Sequence, residues 1–194
     1  MPTFIKFLGW DTNRLLLKDK FEQVIEHSHC QYGVCFSNPA TPQKFKSDDE
    51  MFLARLVKSP NDYAIFGKVS IIDFEEQRDT ATSADKANIP WKKQWPYMLR
   101  VSNPMFIKGR LENCILMSRL IDRYGGNVFL NSQQRLGAGE INVNPRLSLM
   151  QKSEIELTEE ASVWLNQEFQ RKLDWLGKIS ENYLNSFPRP EIEI

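Results

Sequence analysis

Two tryptophans four residues apart, Trp91 and Trp95, bracket Lys92 and Lys93 and lead through Pro96 into the segment 97–107. Indoles interleaved with ammonium groups suit one chemistry well, because rings stack on a base while cations hold the phosphate backbone. The positive charge continues on either side: Lys86, Lys92, Lys93, Arg100, Lys108 and Arg110 fall between Asp85 and Glu112 with no acid among them. The competing reading is that Trp91 and Trp95 plug the end of a barrel or sheet, as large aromatics mostly do.

Other chemistries find less support. His27, His29, Cys30 and Cys35 are metal-ligand types in one stretch, but no second pair of the CxxC kind accompanies them, so ordinary side chains are expected rather than a zinc clasp. Three cysteines are an odd count and argue against a disulfide framework. There is no GxxxxGK[ST], no GxSxG and no HExxH. The acidic clusters Asp48-Asp49-Glu50 and Glu159-Glu160 read as helix starts. Binding is favoured over catalysis, and no cofactor or metal is expected.

The chain has 194 residues, enough for one domain with a sizeable core. At 41% hydrophobic and 26% charged residues its composition is that of an ordinary globular protein. No apolar run reaches membrane-span length and no secretory signal opens the chain, so no membrane partner and a cytoplasmic location are expected. A net charge of zero argues against a sequence-blind polyanion binder. The charge is segregated, with nine acids in residues 48–85 and four more in 154–160, so nucleic acid should meet one face only.

Around these residues the elements alternate irregularly. TFIKFL predicts a strand over 3–8, and Leu17, Phe21 and Val24 predict a helix from Thr12. YGVCFS predicts a strand over 32–37 that runs into the turn NPATPQ. Ser47 to Glu50 resembles a capping box, with Phe52, Leu53, Leu56 and Val57 as the face of a short helix. Residues 63–74 predict the clearest strand, with Gly67 marking a bend or a close approach. Residues 75–90 read as a surface loop, followed by a strand in which Tyr97, Leu99 and Val101 alternate with Met98, Arg100 and Ser102. Leu116, Leu120 and Tyr124 give a helix ending at Gly125, and NVFL a short strand. The amide- and glycine-rich stretch that follows, with Arg135 and Arg146, reads either as a long connection or as a binding loop. Ile155 and Leu157 mark a last strand, and Thr158 caps a long final helix. The expected architecture is α+β, a strongly curved sheet or open barrel with helices against it. Residues 1–186 form one expected domain, and 187–194 a C-terminal tail or linker.

AIFGKVSI, TATSADKANIPWKKQWPYMLRV and NPRLSLMQKSEIELTEEASVWL, in that order, resemble prokaryotic EVE-type domains of the PUA-like superfamily, which are similar in fold to YTH readers. The resemblance covers residues 60–168, and the first 60 in outline. It implies a PUA-like open β-barrel, a strongly curved mixed sheet flanked by helices with a long C-terminal helix, and no cofactor. It also implies a non-catalytic nucleic-acid-binding domain that recognises a modified, methylated base in DNA by flipping it into an aromatic pocket. Similar modules are the N-terminal readers of McrB-type restriction proteins, so a GTPase motor and a nuclease subunit are implied partners. The chain has no GTP-binding motif, and any such motor would lie beyond Ile194 or on another chain.

Carried over by position, the cage walls fall on Trp91 with Trp95 and on Phe36, Ser37 and Asn38, while Trp10 and Asp11 stand where YTH readers hydrogen-bond the base or its sugar. Where the YTH pattern has Trp before its Ser, this chain has Cys35 and Phe36. Lys86, Lys92, Lys93, Arg135 and Arg146 are the expected phosphate-positioning groups. Extruding a base costs a few kcal/mol and stacking returns about 1–3 kcal/mol per aromatic contact, so two rings with a few hydrogen bonds balance it. The alternatives are an RNA-binding PUA-like module, a small nuclease or hydrolase of the same superfamily, and an interaction module without a nucleic-acid role.

Overall fold

Alternation along TFIKFL sends Phe4 and Lys6 to one face of a strand and Thr3 and Ile5 to the other, and all four are buried. The computed structural model describes residues 1–8, 15–16, 18, 21–28, 30–58, 61–72, 94–150 and 152–187. Among these, the strands are β1 (Thr3–Leu8), β2 (Leu15–Leu16), β3 (Gly33–Phe36), β4 (Glu50–Lys58), β5 (Asp62–Ile71), β6 (Tyr97–Phe106), β7 (Ile115–Leu116) and β8 (Glu154–Glu156). The helices are α1 (Phe21–Ser28), α2 (Met117–Tyr124), α3 (Leu130–Gly137), α4 (Glu159–Leu176) and the short α5 (Glu181–Leu184).

The strands make one sheet in the order β3-β6-β5-β4-β1-β8, with β2 joining β4 and β7 joining β5. β1 runs parallel to β4 and antiparallel to β8, so the sheet is mixed. It is also strongly curved. In that order β1 lies four strands from β3, about 19 Å if the sheet were flat at ~4.8 Å per strand. Yet Lys6 Nζ on β1 sits 4.2 Å from the centre of the Phe36 ring on β3. Phe45 fills the space between them, with its ring 4.8 Å from Phe4 and 5.7 Å from Phe36.

Two irregularities supply the curl, since extra residues bend a strand and increase its twist. One falls where β4 steps from Leu53 to Ala54 against β5, the other where β5 passes from Lys68 to Ser70 against β6. Gly67 marks a close approach: a Cβ there would lie 2.5 Å from the Phe106 ring.

α4 covers the opposite face. Its Ser162 hydroxyl donates to Thr3 Oγ1 at 2.6 Å, and Phe169 packs edge-on against Phe52 at 5.4 Å. Lys68, Glu50 and Asn166 form a polar clasp beside that contact. Thr158 caps α4 by accepting from Ala161 N–H, and its own hydroxyl donates to the Asn127 carbonyl at 2.7 Å. The molecule is thus an α+β half-barrel of PUA-like arrangement, an open curved sheet flanked by helices with the long helix near its C-terminus.

Several local expectations are corrected. Residues 50–58 form a strand, not a capped helix, because β4 lies between β1 and β5 and is buried on both faces from Met51 to Arg55. An apolar run of that kind meets helical spacing by coincidence. The supposed cap closes a turn instead: Asp49 accepts from Lys46 N–H at 2.8 Å, and Asp48 has φ +69°. The helix expected from Thr12 begins at Phe21, after β2. NVFL contributes one bridge, Phe129 to Leu157, and the polar stretch after it contains α3 and a 3-10 turn at Pro145–Leu149. α4 ends at Gly177, where φ is +82°, and Ile179 N–H then bonds the Phe106 carbonyl. Phe187, the first residue of the expected tail, is anchored, since Tyr32 donates to its carbonyl at 2.7 Å and Tyr183 packs on its ring. Residues 188–194 lie outside the described residues.

Candidate nucleic-acid interface

The pairing of β3 with β6 sets Phe36 opposite Tyr97. Continuing past that pair, the chain of β3 leaves the sheet at Ser37 and Asn38, both exposed, and the chain of β6 enters it from half-buried Trp95. One end of this strand pair therefore gathers Ser37, Asn38, Trp95 and Tyr97, residues far apart in sequence. The Asn38 side-chain carbonyl accepts from Ala40 N–H at 2.9 Å, which holds the turn.

Phe36 is corrected as a pocket wall. It is 1% exposed, with Lys6 over its face and Phe45 beside it, so it is a packing residue under the site. Trp10, Asp11, Trp91, Lys86, Lys92 and Lys93 lie outside the described residues.

Arg135 and Arg146 belong to a different lobe. α3 and the 3-10 turn after it are joined by a buried hydroxyl pair, Ser132 to Ser148 at 2.9 Å. Arg135 is held by Glu140 in a two-point ion pair, with Nε 2.7 Å from Oε2. Hydrogen bonding in that pair lowers the Glu140 pKa from its ordinary value and raises that of Arg135. Arg146 is exposed, its N–H donating to Asn144 Oδ1 at 3.0 Å. Of the basic stripe, Lys108 and Arg110 are exposed and Arg100 is half-buried.

The structure adds two features that sequence reading missed. The first is Lys6, 3% exposed on the concave face. Burial pulls its pKa from 10.5 down to about 8, against the attraction of Glu154 and then Cys35. Glu154 lies opposite it on β8 and also pairs with Lys44 at 3.3 Å. The signal was available, as a lysine between Phe4 and Leu8 on one face of a strand has no route to water if that face is covered.

The second is a cavity of about 420 Å³ at the other end of β3, where Gly33 faces Arg100. Gln31, Tyr32, Met98, Arg100, Ser102 and Pro104 contribute to its wall, and the C-terminal segment closes it with Leu184 and Asn185. Gln31 is 3% exposed. Its Nε2 donates to the Leu184 carbonyl at 3.2 Å, which fixes the amide, and its Oε1 is buried without a partner. An orphan of that kind costs about 1–3 kcal/mol.

Of the thiols, Cys35 acts on Lys6, and Cys30 and Cys114 are buried in the core. None of the three cysteines is in a disulfide. Burial pushes Cys30 up to about 12 and Cys114 well above its ordinary value, so neither offers a thiolate near neutral pH. The His27 side chain and His29 lie outside the described residues. Among the described residues, no three His, Cys, Asp or Glu side chains converge as a metal site.

No protein-family model matches the chain, and no curated protein matches it. Among solved structures it is similar to the human THYN1 protein in complex with 5-methylcytosine containing DNA, at 13% identity over 87% of this chain and 98% of that one, with a TM-score of 0.43. A likeness that distant bears on neither the site nor its ligand.

Proposed function

We propose that this chain is a non-catalytic reader of a modified, methylated base in DNA, holding the extruded base at the end of the β3–β6 pair. The observation that carries the reading is the Phe36–Tyr97 register, which sets exposed Ser37 and Asn38 beside the Trp95 segment. An indole supplies about 1–3 kcal/mol of stacking, and the hydroxyl and amide supply the edge contacts that offset extrusion. A methyl group buried against the ring adds roughly 0.8 kcal/mol, which makes the preference for a modified base one of pocket shape. In this reading Trp91 forms the second wall, with Trp10 and Asp11 at the rim and Lys86, Lys92, Lys93 and Arg146 along the phosphates. The chemistry that follows recognition falls to partners, a GTPase motor and a nuclease in a prokaryotic restriction system of the McrB type, in the cytoplasm.

Fluorescence anisotropy with matched methylated duplex, unmodified duplex and RNA, at two salt concentrations, tests it. The expected result is tighter binding of the methylated duplex, with the preference lost in Trp95→Ala and Asn38→Ala variants that keep the wild-type circular dichroism. Preference for RNA, or no binding at low salt, overturns it. Degradation of the probe with divalent metal would mean that the chain is an enzyme.

A further inference from the structure

We propose that the face shared by α2 and α4 is a docking surface for an acidic segment of a partner protein that also carries an aromatic residue. Trp164, Glu168, Arg171 and Trp175 follow one another along α4 at intervals of four, three and four residues, which sets them in one row. Arg119 and Arg123, four apart on α2, come against that row. Arg123 lies 5.6 Å from the centre of the Trp164 ring and 5.8 Å from that of Tyr124, and Arg119 reaches Glu168 at 3.7 Å. Arg171 pairs with the other oxygen of the same carboxylate at 2.9 Å. Trp175 ends the row, 76% exposed, with the Lys172 ammonium 5.8 Å from its ring.

Charge and composition name the occupant. Two guanidiniums share the Glu168 carboxylate and a third stands one turn along α2, so cations outnumber the acid they meet. Asp174, the next acid on α4, accepts from Gln170 instead, and Asp122 and Glu160 make no ion pair with the three arginines among the described residues. A guanidinium presents five N–H donors in a planar fork that matches a carboxylate. The Arg119 and Arg171 side chains are 53% and 68% exposed, so much of that capacity meets solvent. An exposed indole beside arginines is the composition of a protein-binding hot spot. A duplex satisfies half of such a surface, since its phosphates suit the arginines while its stacked bases offer no face to the indole.

The face is also separate from the proposed base site. α4 packs on the side of the sheet reached by Thr3 and Phe52, opposite the side on which Lys6 meets Phe36. A segment docked on α2 and α4 therefore leaves the β3–β6 end uncovered, and the surface stands whether or not the chain reads a modified base. From Trp164 to Trp175 the row runs about 16 Å, the length of roughly five extended residues or three helical turns.

Fluorescence anisotropy of a labelled copolymer of glutamate and tyrosine titrated with the full chain, with polyglutamate and single-stranded oligothymidine alongside, tests the surface. Saturable binding of the copolymer at low salt is expected, about tenfold tighter than that of polyglutamate, with the Trp175 indole N–H signal shifted in NMR spectra. Trp175→Ala and Arg171→Gln alter exposed groups and should keep the wild-type circular dichroism. Each should weaken copolymer binding about tenfold, whereas Lys46→Gln, the loss of an exposed charge elsewhere, should not. Trp95→Ala should bind the copolymer as the wild type does, so failure here and failure of the modified-base reading are separate results. No binding at low salt, equal binding of polyglutamate, or binding indifferent to Trp175→Ala and Arg171→Gln overturns the proposal. Trp175-dependent preference for oligothymidine overturns it in favour of nucleic acid, and a sedimenting dimer that Trp175→Ala dissolves overturns it in favour of a second copy of the chain.

Discussion

Replacing Lys6 by Met should make the protein more stable near neutral pH. A fall in pKa from 10.5 to about 8 is equivalent to about 3 kcal/mol against the charged form in the folded state. Lys6 is 3% exposed, so solvent screening takes little from that figure. The contact with Phe36 returns about 0.5–2 kcal/mol, leaving a net gain of about 1–3 kcal/mol for the apolar isostere. The pH dependence gives the sharper test. Below pH 8 both states are protonated and the full penalty applies; between about 8 and 10.5 the unfolded chain holds a proton that the folded chain has lost, so wild-type stability rises with pH. The buried thiols act in the other sense, because Cys30 ionises at about 12 folded and 9.0 unfolded, and stability falls above pH 9. Subtracting Lys6→Met from wild type cancels the thiols. Urea denaturation of both proteins across this range should show the variant ahead near pH 7 and the gap closing as Lys6 loses its proton. A variant less stable at pH 7, or a gap independent of pH, would refute the argument that burial dominates at Lys6.

Three further outcomes are expected. Gly67→Ala should cost about 2 kcal/mol in denaturant titration, because its Cβ would sit 2.5 Å from the Phe106 ring, and Phe106→Leu in the same chain should recover part of the loss. Thr158→Ala should cost about 1–2 kcal/mol, since it removes both the cap of α4 and a hydrogen bond to Asn127, and the loss should appear in the thermal transition. Glu140→Gln should leave stability unchanged while releasing Arg135; if α3 faces the phosphates, the slope of log affinity against log salt should steepen by about 1.

What could be read from the sequence was what local physics determines. β1, β5 and β6 alternate, α4 opens on a threonine cap followed by Glu159 and Glu160, and α2 ends on glycine; each signal lies within a few residues of what it specifies. α3 was hidden because its residues, LNSQQRLG, are polar and packed through Ser132, so no apolar stripe marks it. The site divides in the same way. Ser37, Asn38 and Trp95 could be named from the resemblance, but their meeting depends on the Phe36–Tyr97 register, a pairing between distant parts of the chain that no local pattern encodes. Phe36 was taken for a wall because it stands where the resembled readers place one, and its burial is not visible in a sequence.

The reading of residues 50–58 as a helix and the silence about Lys6 have a common origin. Were that segment a helix, β1 would lose its parallel neighbour and Lys6 would stand on a strand bonded only to the three residues of β8, with its face open to water. With β4 between β1 and β5 the sheet is continuous from β3 to β8, and the bulges at Leu53/Ala54 and Lys68/Ser70 curl it until β1 faces β3. That closure buries Lys6 against the back of Phe36, one residue from Ser37. The same strand that fixes the curvature therefore fixes the floor beneath the proposed base site. A substitution that loosened the β4–β5 register should shift Lys6 ionisation and base affinity together, whereas one confined to Ser37 or Asn38 should move affinity alone.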